Sequence, residues 1–307
     1  MADPLTIQFL TRDRLDTDKW NACIDTADNG LIYAYSFYLD HMSRQWDALV
    51  LNDYEAVMPL TWNKKYGIAY LCQPFLTAQL GLFGKKISAN LLQRFMENVP
   101  AKFKYWDIYI NHGNVFPLKH FNLYERSNYL LDLSKPYENI NANYRENIVR
   151  NIRKAEQVGC RAGKGFDEEN VIDLAIEQMR TYSLESKENV NRFRTLYKHL
   201  YGKQMATTYG IFSKANVLVA SCIFFFSHNR AYYILVGNHP DGRTIGASHA
   251  LIDAFIKDHA GKKMLLDFEG SDIRNLAFFY SSFGAIEEKF AGLKVNRLPF
   301  WMRWVKK

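Results

Sequence analysis

Residues 265–285 read LLDFEGSDIRNLAFFYSSFGA, and this stretch decides the fold. Its pattern predicts a buried strand, a sharp turn that contains acidic residues and glycine, and a short aromatic helix that stops at Gly284. Glu269 stands at the end of the apolar strand and is followed directly by Gly270. Ligands commonly bind where a strand of an α/β sheet ends and faces the start of a helix. The stretch therefore indicates an α/β fold and marks Glu269 as a candidate site residue.

The composition is that of a folded protein with an excess of positive charge. The 307 residues, 48% hydrophobic and 15% aromatic, suffice for two domains with substantial cores and exclude intrinsic disorder. The net charge of +7 suits an anionic partner: a phosphate-bearing cofactor, a nucleic acid or an anionic membrane surface. Charge alone does not choose among these three partners.

Several functional classes lack their sequence signatures. The four cysteines have no short spacing, so neither a CxxC metal pair nor a secreted disulfide framework is predicted. The eight histidines form no HExxH pattern, and the sequence has no Walker or GxSxG motif, so we predict neither a metal site nor a serine hydrolase. Without a signal-peptide pattern or an apolar run of about 18 residues, the chain is expected to be soluble and cytoplasmic.

Strand and helix patterns occur in the same predicted order, β-α-α-β-β-β-α-β-α-β, in both halves of the chain. No convincing residue-level identity relates the halves, so the repeat is one of topology. The polar segment 132–143, which contains Pro136, marks the boundary between them. We therefore predict domains at residues 1–134 and 135–307, each a mixed sheet with flanking helices.

Residues 144–159, YRENIVRNIRKAEQVG, are predicted to form a basic amphipathic helix. Ile148 and Ile152 fall on one face, the arginine and lysine side chains lie elsewhere, and Gly159 suits the helix end. Such cations either follow the phosphates of tRNA or of phospholipids, or form a solvated face between two modules. We favour the solvated face.

The order of elements resembles the GCN5-related N-acetyltransferase (GNAT) fold, and two copies in tandem resemble the Fem-type, or FemAB-like, aminoacyltransferases. The stretches that carry the resemblance are YLDHMSRQWDALVL, QPFLTAQLGLFG, YRENIVRNIRKAEQVG and LLDFEGSDIRNLAFFYSSFGA, and it covers nearly the whole chain. It implies an α/β (α+β) fold of two tandem GNAT-like modules, as in acyl-CoA N-acyltransferases. No segment is long enough for the helical-hairpin arm of some Fem-type members.

The resemblance also implies a function: transfer of an acyl or aminoacyl group to an amine by direct attack, without a covalent enzyme intermediate. The implied donor is acyl-CoA, such as acetyl-CoA, or aminoacyl-tRNA as in Fem-type enzymes. The implied acceptor is the amine of a small molecule or of a peptidoglycan precursor. A rival interpretation is a non-catalytic protein that keeps the fold to bind a ligand or a partner.

Residues 241–255, DGRTIGASHALIDAF, resemble the (Gln/Arg)-x-x-Gly-x-(Gly/Ala) loop that binds the pyrophosphate of acyl-CoA in GNAT domains. Backbone N–H groups at a helix start suit a pyrophosphate, and glycine permits its close approach. Ser248 stands where that family usually has Gly or Ala, and an ordinary glycine turn before a capped helix explains the same residues. The predicted cofactor-binding residues are Arg243, Thr244, Ile245, Gly246, Ala247 and Ser248.

Tyr280 and Glu269 are the predicted catalytic residues. Tyr280 resembles the tyrosine of the GNAT motif Tyr-x-x-x-Gly-Phe, which protonates the leaving CoA thiolate, although Ala285 replaces the phenylalanine. The alternative for Tyr280 is packing within an aromatic helix. Glu269 is predicted to orient or deprotonate the incoming amine, and its alternative is to cap the following helix together with Ser271 and Asp272.

The C-terminal stretch RLPFWMRWVKK, residues 297–307, interleaves aromatic and basic residues. Such a tail either rests at a membrane interface near a lipid-linked substrate or packs onto its own domain. Peripheral membrane contact and contact with tRNA are thus two predictions about partners.

Overall fold

The computed structural model describes residues 6–180, 186–270 and 272–300. Its strands are β1 Ile7–Thr11, β2 Gln45–Leu51, β3 Ala56–Lys65, β4 Ile68–Cys72, β5 Phe83–Gly84, β6 Phe103–Ile110, β7 Leu123–Asp132, β8 Arg161–Lys164, β9 Ala206–Phe212, β10 Leu218–Ser227, β11 Arg230–Asn238, β12 Leu265–Asp267 and β13 Ile286–Asn296. Its α-helices are α1 Thr17–Thr26, α2 Ser36–Met42, α3 Ala89–Glu97, α4 Tyr137–Asn141, α5 Glu146–Gln157, α6 Glu168–Arg180, α7 Lys187–Gly202, α8 Pro240–Thr244, α9 Ala247–His259 and α10 Arg274–Ser281.

The predicted order of elements is complete in the second half and lacks one helix in the first. Where the second half has α10, the first has the short 3₁₀ turn His112–Asn114 between β6 and β7. The side chain of Asn111 accepts a hydrogen bond from the backbone N–H of Gly113, and Pro117 follows. These residues favour a turn over a helix, so the prediction of a second complete copy was wrong at this element.

Contacts divide the chain into two compact units. Unit 1 comprises the described residues of Met1–Arg126 and Lys289–Lys307, and unit 2 those of Ser127–Glu288. A compact unit need not be an independently folding domain, so the predicted boundary between residues 134 and 135 stays a prediction.

Unit 1 contains a mixed sheet in the order β1-β2-β3-β4-β6-β13, with β5 paired to β3. Neighbouring strands are antiparallel except β4 and β6, which run parallel with Leu71 opposite Trp106. Its core includes Phe95 of α3, together with Phe103 and Trp106 of β6. Ser88 caps α3, as its sequence predicts, by accepting a hydrogen bond from the backbone N–H of Leu91.

Unit 2 contains a mixed sheet in the order β7-β12-β11-β10-β9-β8. Its parallel pair is β11 with β12, and the other neighbours are antiparallel. Phe224 of β10 stacks on Phe255 of α9 with centroids 3.7 Å apart, and Phe225 stacks on Phe193 of α7 at 5.7 Å. Successive side chains of a strand point to opposite faces, so helices cover both faces of this sheet. The predicted mixed sheet flanked by helices is confirmed.

The predicted basic amphipathic helix is confirmed as α5. Ile148, Ile152 and Ala155 are buried in the core of unit 2, whereas Arg150 and Arg153 are exposed. This arrangement agrees with a solvated basic face. In the described part of the chain no helix is both long and apolar enough to cross a membrane.

Candidate active site

Two parallel strands part at one end of the sheet of unit 2. β11 and β12 share three register pairs, the last of which places Tyr232 opposite Asp267. β12 ends there, while β11 continues to Asn238 in register with β10. In open α/β sheets, ligands bind outside the carboxyl ends of strands, where neighbouring strands separate. The residues that follow β12 therefore stand beside a natural binding position.

A β-bulge lies in β11 just beyond the last pair with β12. Ile223 of β10 pairs with Leu235 and Phe224 pairs with Tyr233, so Ile234 is an extra residue on β11. A bulge takes backbone groups out of the regular ladder and re-aims side chains, and bulges are over-represented next to active sites. The bulge and the separation of the strands thus coincide at one end of the sheet.

Glu269 lies two residues beyond the end of β12, in a turn that Asp267 holds. The backbone N–H of Glu269 donates to Oδ1 of Asp267 at 2.9 Å. The φ angle of Glu269 is +65°, in the left-handed region that costs a non-glycine residue roughly 1–2 kcal/mol. Backbone strain of this kind clusters at functional sites, where the surrounding structure imposes it. The turn thus fixes Glu269 beside the end of β12.

A buried charge cluster anchors this turn. The guanidinium group of Arg230 donates to Oδ2 of Asp267 at 2.9 Å and to the two carboxylate oxygens of Glu288 at 2.8 and 3.2 Å. The side-chain amide of Asn128 donates to Oδ1 of Asp267 at 2.9 Å. Burial lowers the pKa of Arg230, but the two carboxylates outweigh this effect and raise it above its ordinary value. Asp267 is therefore the support of the turn that carries Glu269.

Tyr280 lies in the last turn of α10 with its ring buried. The ring stacks on that of Phe268, with centroids 4.6 Å apart and an interplanar angle of 18°. Burial first, and then the charge of Glu269, raise the pKa of Tyr280 to about 12. Phe268 directly precedes Glu269 in the chain, so this ring contact places Tyr280 next to the turn that carries Glu269. Their catalytic role stays a prediction.

The alternative in which Glu269 caps α10 together with Ser271 and Asp272 stays a prediction. The N-cap residue of α10 is Ile273, which makes no side-chain hydrogen bond to the helix. Oδ1 of Asp272 accepts a hydrogen bond from the backbone N–H of Ser127 at 3.2 Å, and Ser271 lies outside the described residues. The packing alternative fits the ring of Tyr280, which stacks on that of Phe268.

The predicted pyrophosphate loop forms the end of α8 and the start of α9. Arg243 and Thr244 are exposed on α8, Ile245 and Ser248 are half-buried, and Ala247 is buried. Arg243 is thus the charged group of this stretch that a ligand in solvent can reach. Binding of a cofactor to these residues stays a prediction.

Gly246 has a structural reason to be glycine. It is the N-cap of α9 with a φ angle of +80°, and a Cβ atom there would overlap the carbonyl oxygen of Asn151 on α5. Glycine lets the two backbones approach each other whether or not a ligand is bound. The interpretation as an ordinary glycine turn is therefore sufficient for Gly246.

Sequence reasoning missed two residues of this region, His249 and Arg230. The ring of His249 meets that of Phe279 of α10 edge-on at 4.9 Å, and burial lowers its pKa to about 4. Its place in the first turn of a helix after a strand-end loop is the one available sequence signal, and it is weak. Arg230 gave no signal, because Asp267 and Glu288 lie 37 and 58 residues further along the chain.

Two further predictions concern a metal site and the C-terminal tail. Within the described ranges, no group of three or more His, Cys, Asp or Glu side chains is arranged to hold a metal ion. Of the aromatic residues in the tail, Phe300 is exposed, while residues 301–307 lie outside the described residues. Membrane contact through the tail stays a prediction.

Several solved structures share this fold. The crystal structure of FemX has 11% sequence identity and a TM-score of 0.63, over 92% of this chain and 96% of that chain. L-PGS from Bacillus licheniformis has 11% identity and a TM-score of 0.55, over 94% and 95%. A GCN5-related N-acetyltransferase from Sphaerobacter thermophilus has 12% identity and a TM-score of 0.50, over 95% and 96%. No protein-family model and no curated protein matches this sequence.

Identities this low show a shared fold and do not carry substrates from one protein to another. The likeness spans nearly the whole of this chain and of each structure compared. The GNAT-like α/β fold that the sequence resembles, in the form shared with FemX, is therefore confirmed.

Proposed function

We propose that unit 2 transfers an acyl or aminoacyl group to an amine. The observation that carries this proposal is the stacking of Tyr280 on Phe268, the residue directly before Glu269, at the point where β11 and β12 part. A carboxylate is a suitable base for an attacking amine, and a phenol is a suitable acid for a leaving group. Beyond its last pair with β12, the bulged strand β11 has backbone groups outside the regular ladder, and these are suited to contact the reacting acyl group.

The proposed reaction is a direct displacement at the acyl carbon. The amine nitrogen attacks, a C–N bond forms, and the bond from the acyl carbon to the leaving sulfur or oxygen breaks. Glu269 accepts the proton that the amine nitrogen loses, and Tyr280 gives its proton to the leaving group. Glu269 then returns a proton to the oxygen of Tyr280. Both residues thus end in their starting states.

The acidity of Tyr280 favours an ester donor over a thioester. A thiolate, with a conjugate acid of pKa about 8.5, leaves readily without help from a far weaker acid. An alkoxide is much more basic, so a phenol with a pKa raised to about 12 can assist its departure. We therefore place an aminoacyl ester, as in aminoacyl-tRNA, first among the donors. Acyl-CoA remains the second candidate, which the spacing of residues 243–248 favours.

The acceptor in this proposal is a primary amine of a small molecule or of a peptidoglycan precursor. The carboxylate of Glu269 attracts such an amine, which arrives protonated at neutral pH and loses that first proton to solvent before it attacks. A donor of the aminoacyl-tRNA type is made in the cytoplasm, so we place the protein there.

A non-catalytic binding protein is the second candidate function. Two observations favour it: Ser248 and Ala285 depart from the GNAT pattern, and packing against α5 is sufficient to explain Gly246. Under this alternative the strained turn at Glu269 would serve to bind a ligand rather than to transfer a group.

The test is transfer of label to amines by the purified chain. Radiolabelled aminoacyl-tRNA and radiolabelled acetyl-CoA are each incubated with the protein and a set of primary amines that includes peptidoglycan precursor peptides. We expect label to move from the ester donor. Thermal shifts with the same donors detect binding alone, since a ligand at 100 times its Kd adds about 2.7 kcal/mol of stability. Binding without transfer would support the non-catalytic alternative.

A further inference from the structure

The two ring nitrogens of His249 differ in their surroundings. Nδ1 is enclosed by protein and has no hydrogen-bond partner among the described residues. The residue as a whole is half-buried, so its exposed part lies away from Nδ1, and Nε2 is the nitrogen left to meet a solvent molecule or a ligand. A buried polar atom without a partner is rare in folded proteins and calls for an explanation.

Two aromatic side chains, one in α10 and one just after it, lie near the imidazole. Phe279 meets it edge-on at 4.9 Å, and the ring of Phe283 lies 6.4 Å away. Burial is the cause of its lowered pKa, with no contribution from a charged group, and the start of α9 further disfavours a positive charge. His249 is therefore neutral at neutral pH and carries one ring proton.

The surroundings also decide which nitrogen carries that proton. A proton on Nδ1 would make a buried donor that has no acceptor, whereas a proton on Nε2 can form a hydrogen bond outside the enclosed pocket. The proton therefore belongs on Nε2. His259, ten residues further along the same helix, is the opposite case, because its Nδ1 lies 2.9 Å from the carbonyl oxygen of Phe255 and donates to it.

We infer that His249 is a further catalytic residue, whose Nε2–H donates a hydrogen bond to the carbonyl oxygen of the acyl donor. This inference rests on the proposed acyl transfer. Its support is the position of His249. Helix α9 follows β11, which is the strand that parts from β12. His249 also packs against Phe279, which is the chain neighbour of Tyr280. The loop 243–248 leads directly into His249.

The donated hydrogen bond adds one interaction to the reaction and moves no proton. As the amine attacks, negative charge develops on the carbonyl oxygen, and Nε2–H stabilises that charge until the bond to the leaving group breaks. A neutral imidazole can do this because its N–H donates a hydrogen bond to the oxyanion without giving up the proton. The amine proton still passes to Glu269, and the proton for the leaving group still comes from Tyr280.

The first test is nitrogen-15 NMR of the histidine side chains in the intact protein. We expect the neutral Nε2–H form for His249 and the neutral Nδ1–H form for His259, which serves as the control on the same helix. We also expect His249 to stay neutral at pH 5. An Nδ1–H form for His249, or protonation near the ordinary histidine pKa, would overturn the inference without any measurement of activity.

The second test compares His249→Phe, His249→Gln and the control His259→Phe in the transfer assay. Loss of one hydrogen-bond donor to a developing oxyanion typically lowers kcat by about 10²–10³. We expect this loss for His249→Phe with little change in KM, a partial recovery for His249→Gln, whose amide donates, and no loss for His259→Phe. Melting temperatures show that each variant is folded.

The outcomes separate this inference from the proposed function. A wild-type protein that transfers from neither donor refutes the proposed function, and the role of His249 falls with it. An active wild type with an equally active His249→Phe refutes the role of His249 alone. If His249→Phe does not fold, the decision rests on His249→Gln. A folded glutamine variant whose kcat falls by the full amount expected for loss of the donor would count against hydrogen-bond donation.

Discussion

The parallel strand pairs of the two units end in different ways. In unit 2, β12 stops opposite Tyr232, and the chain continues into a strained turn with Glu269 and then into α10. In unit 1, β4 stops opposite Asp107, but the chain turns back and takes the place next to β6. Leu80 forms a parallel bridge with Ile110.

The returning segment of unit 1, residues 73–84, closes the space beside β6. The side chain of Gln73 accepts a hydrogen bond from the backbone N–H of Tyr109 at 3.1 Å, and the backbone N–H of Leu80 donates to the carbonyl of Tyr109 at 2.9 Å. The cavity that remains between Leu71, Gln73 and Leu80 has a volume of about 10 Å³. That volume is at the lower limit for one water molecule, so this end of the unit 1 sheet is filled.

The same topology thus serves packing in unit 1, whereas in unit 2 we propose that it holds the reaction site. Unit 1 has a 3₁₀ turn in place of α10, and hence no residue in the position of Tyr280. Unit 2 has the helix, the carboxylate and a bulge just beyond the last pair of its parallel strands. We therefore assign the proposed chemistry to unit 2, and the following experiments test that assignment.

The largest expected effect is on turnover. Glu269→Gln and Tyr280→Phe should each lower kcat by roughly 10²–10⁴, the usual contribution of general acid–base catalysis, with little change in melting temperature. Tyr109→Phe, which alters a tyrosine of β6 in unit 1, is the matched control and should keep full activity. Full activity in both unit 2 variants would end the catalytic assignment of Glu269 and Tyr280.

The next effect is on stability, through the buried charge cluster of unit 2. Arg230→Met leaves Asp267 and Glu288 buried without their cation, which typically costs about 3–5 kcal/mol. The control in unit 1 is Arg12→Met, because the pair of Arg12 with Asp40 is exposed, with side-chain exposures of 35% and 38%. Such a pair contributes about 0–1 kcal/mol. Equal losses in urea unfolding of the two variants would contradict the anchoring role of Arg230.

The pH dependence of stability tests the buried state of His249. Its pKa is about 4 in the folded chain and 6.5 ordinarily, so below pH 6.5 the unfolded chain binds a proton that the folded chain excludes. Stability should therefore fall as the pH drops from 6.5 to 4, by at most about 1.4 kcal/mol per pH unit. Urea unfolding of His249→Phe at pH 7 and pH 5 should show a smaller loss than the wild type. Parallel losses would mean that His249 is not buried as described.

Much of the fold could be predicted because its signals are local. Ser88 before an apolar helix, the spacing of Ile148 and Ile152, and the run from 265 to 285 each specify an element within a few residues. The distant strands that pair with β6 and β12 could not be predicted. In unit 1 the neighbour of β6 is β13, and in unit 2 the neighbour of β12 is β7. Such partners are far apart in sequence, and hydrophobic patterns do not encode which strands pair.

The candidate site also has one part that the sequence could predict and another that it could not. Glu269 and Tyr280 lie eleven positions apart within one recognisable strand–turn–helix stretch, so the sequence sufficed to name both. The support of Glu269 by Arg230 and Asn128 depends on residues from three distant segments. The surroundings of His249 depend on how α9 packs against α10, which no short stretch contains.

A smaller effect should follow from disturbing the closed end of unit 1. Gly81 has a φ angle of +93°, and a Cβ atom there would lie 2.9 Å from the Cβ atom of Ile110. Gly81→Ala should cost about 2 kcal/mol, from the left-handed backbone and the overlap together, while transfer activity stays unchanged. A loss of activity without a loss of stability would show that unit 1 takes part in the reaction.

The smallest expected effect concerns the loop before α9 and distinguishes the two donors. Arg243 is exposed and makes no ion pair with the described residues, so Arg243→Ala should leave the melting temperature unchanged. If residues 243–248 hold a pyrophosphate, the change should weaken CoA binding about two- to fivefold, as expected for one exposed charge pair, and more at low ionic strength. Calorimetry with CoA at low and at high salt measures both effects. Equal affinity in wild type and variant would remove the loop from the site, and absence of CoA binding in both would favour the ester donor.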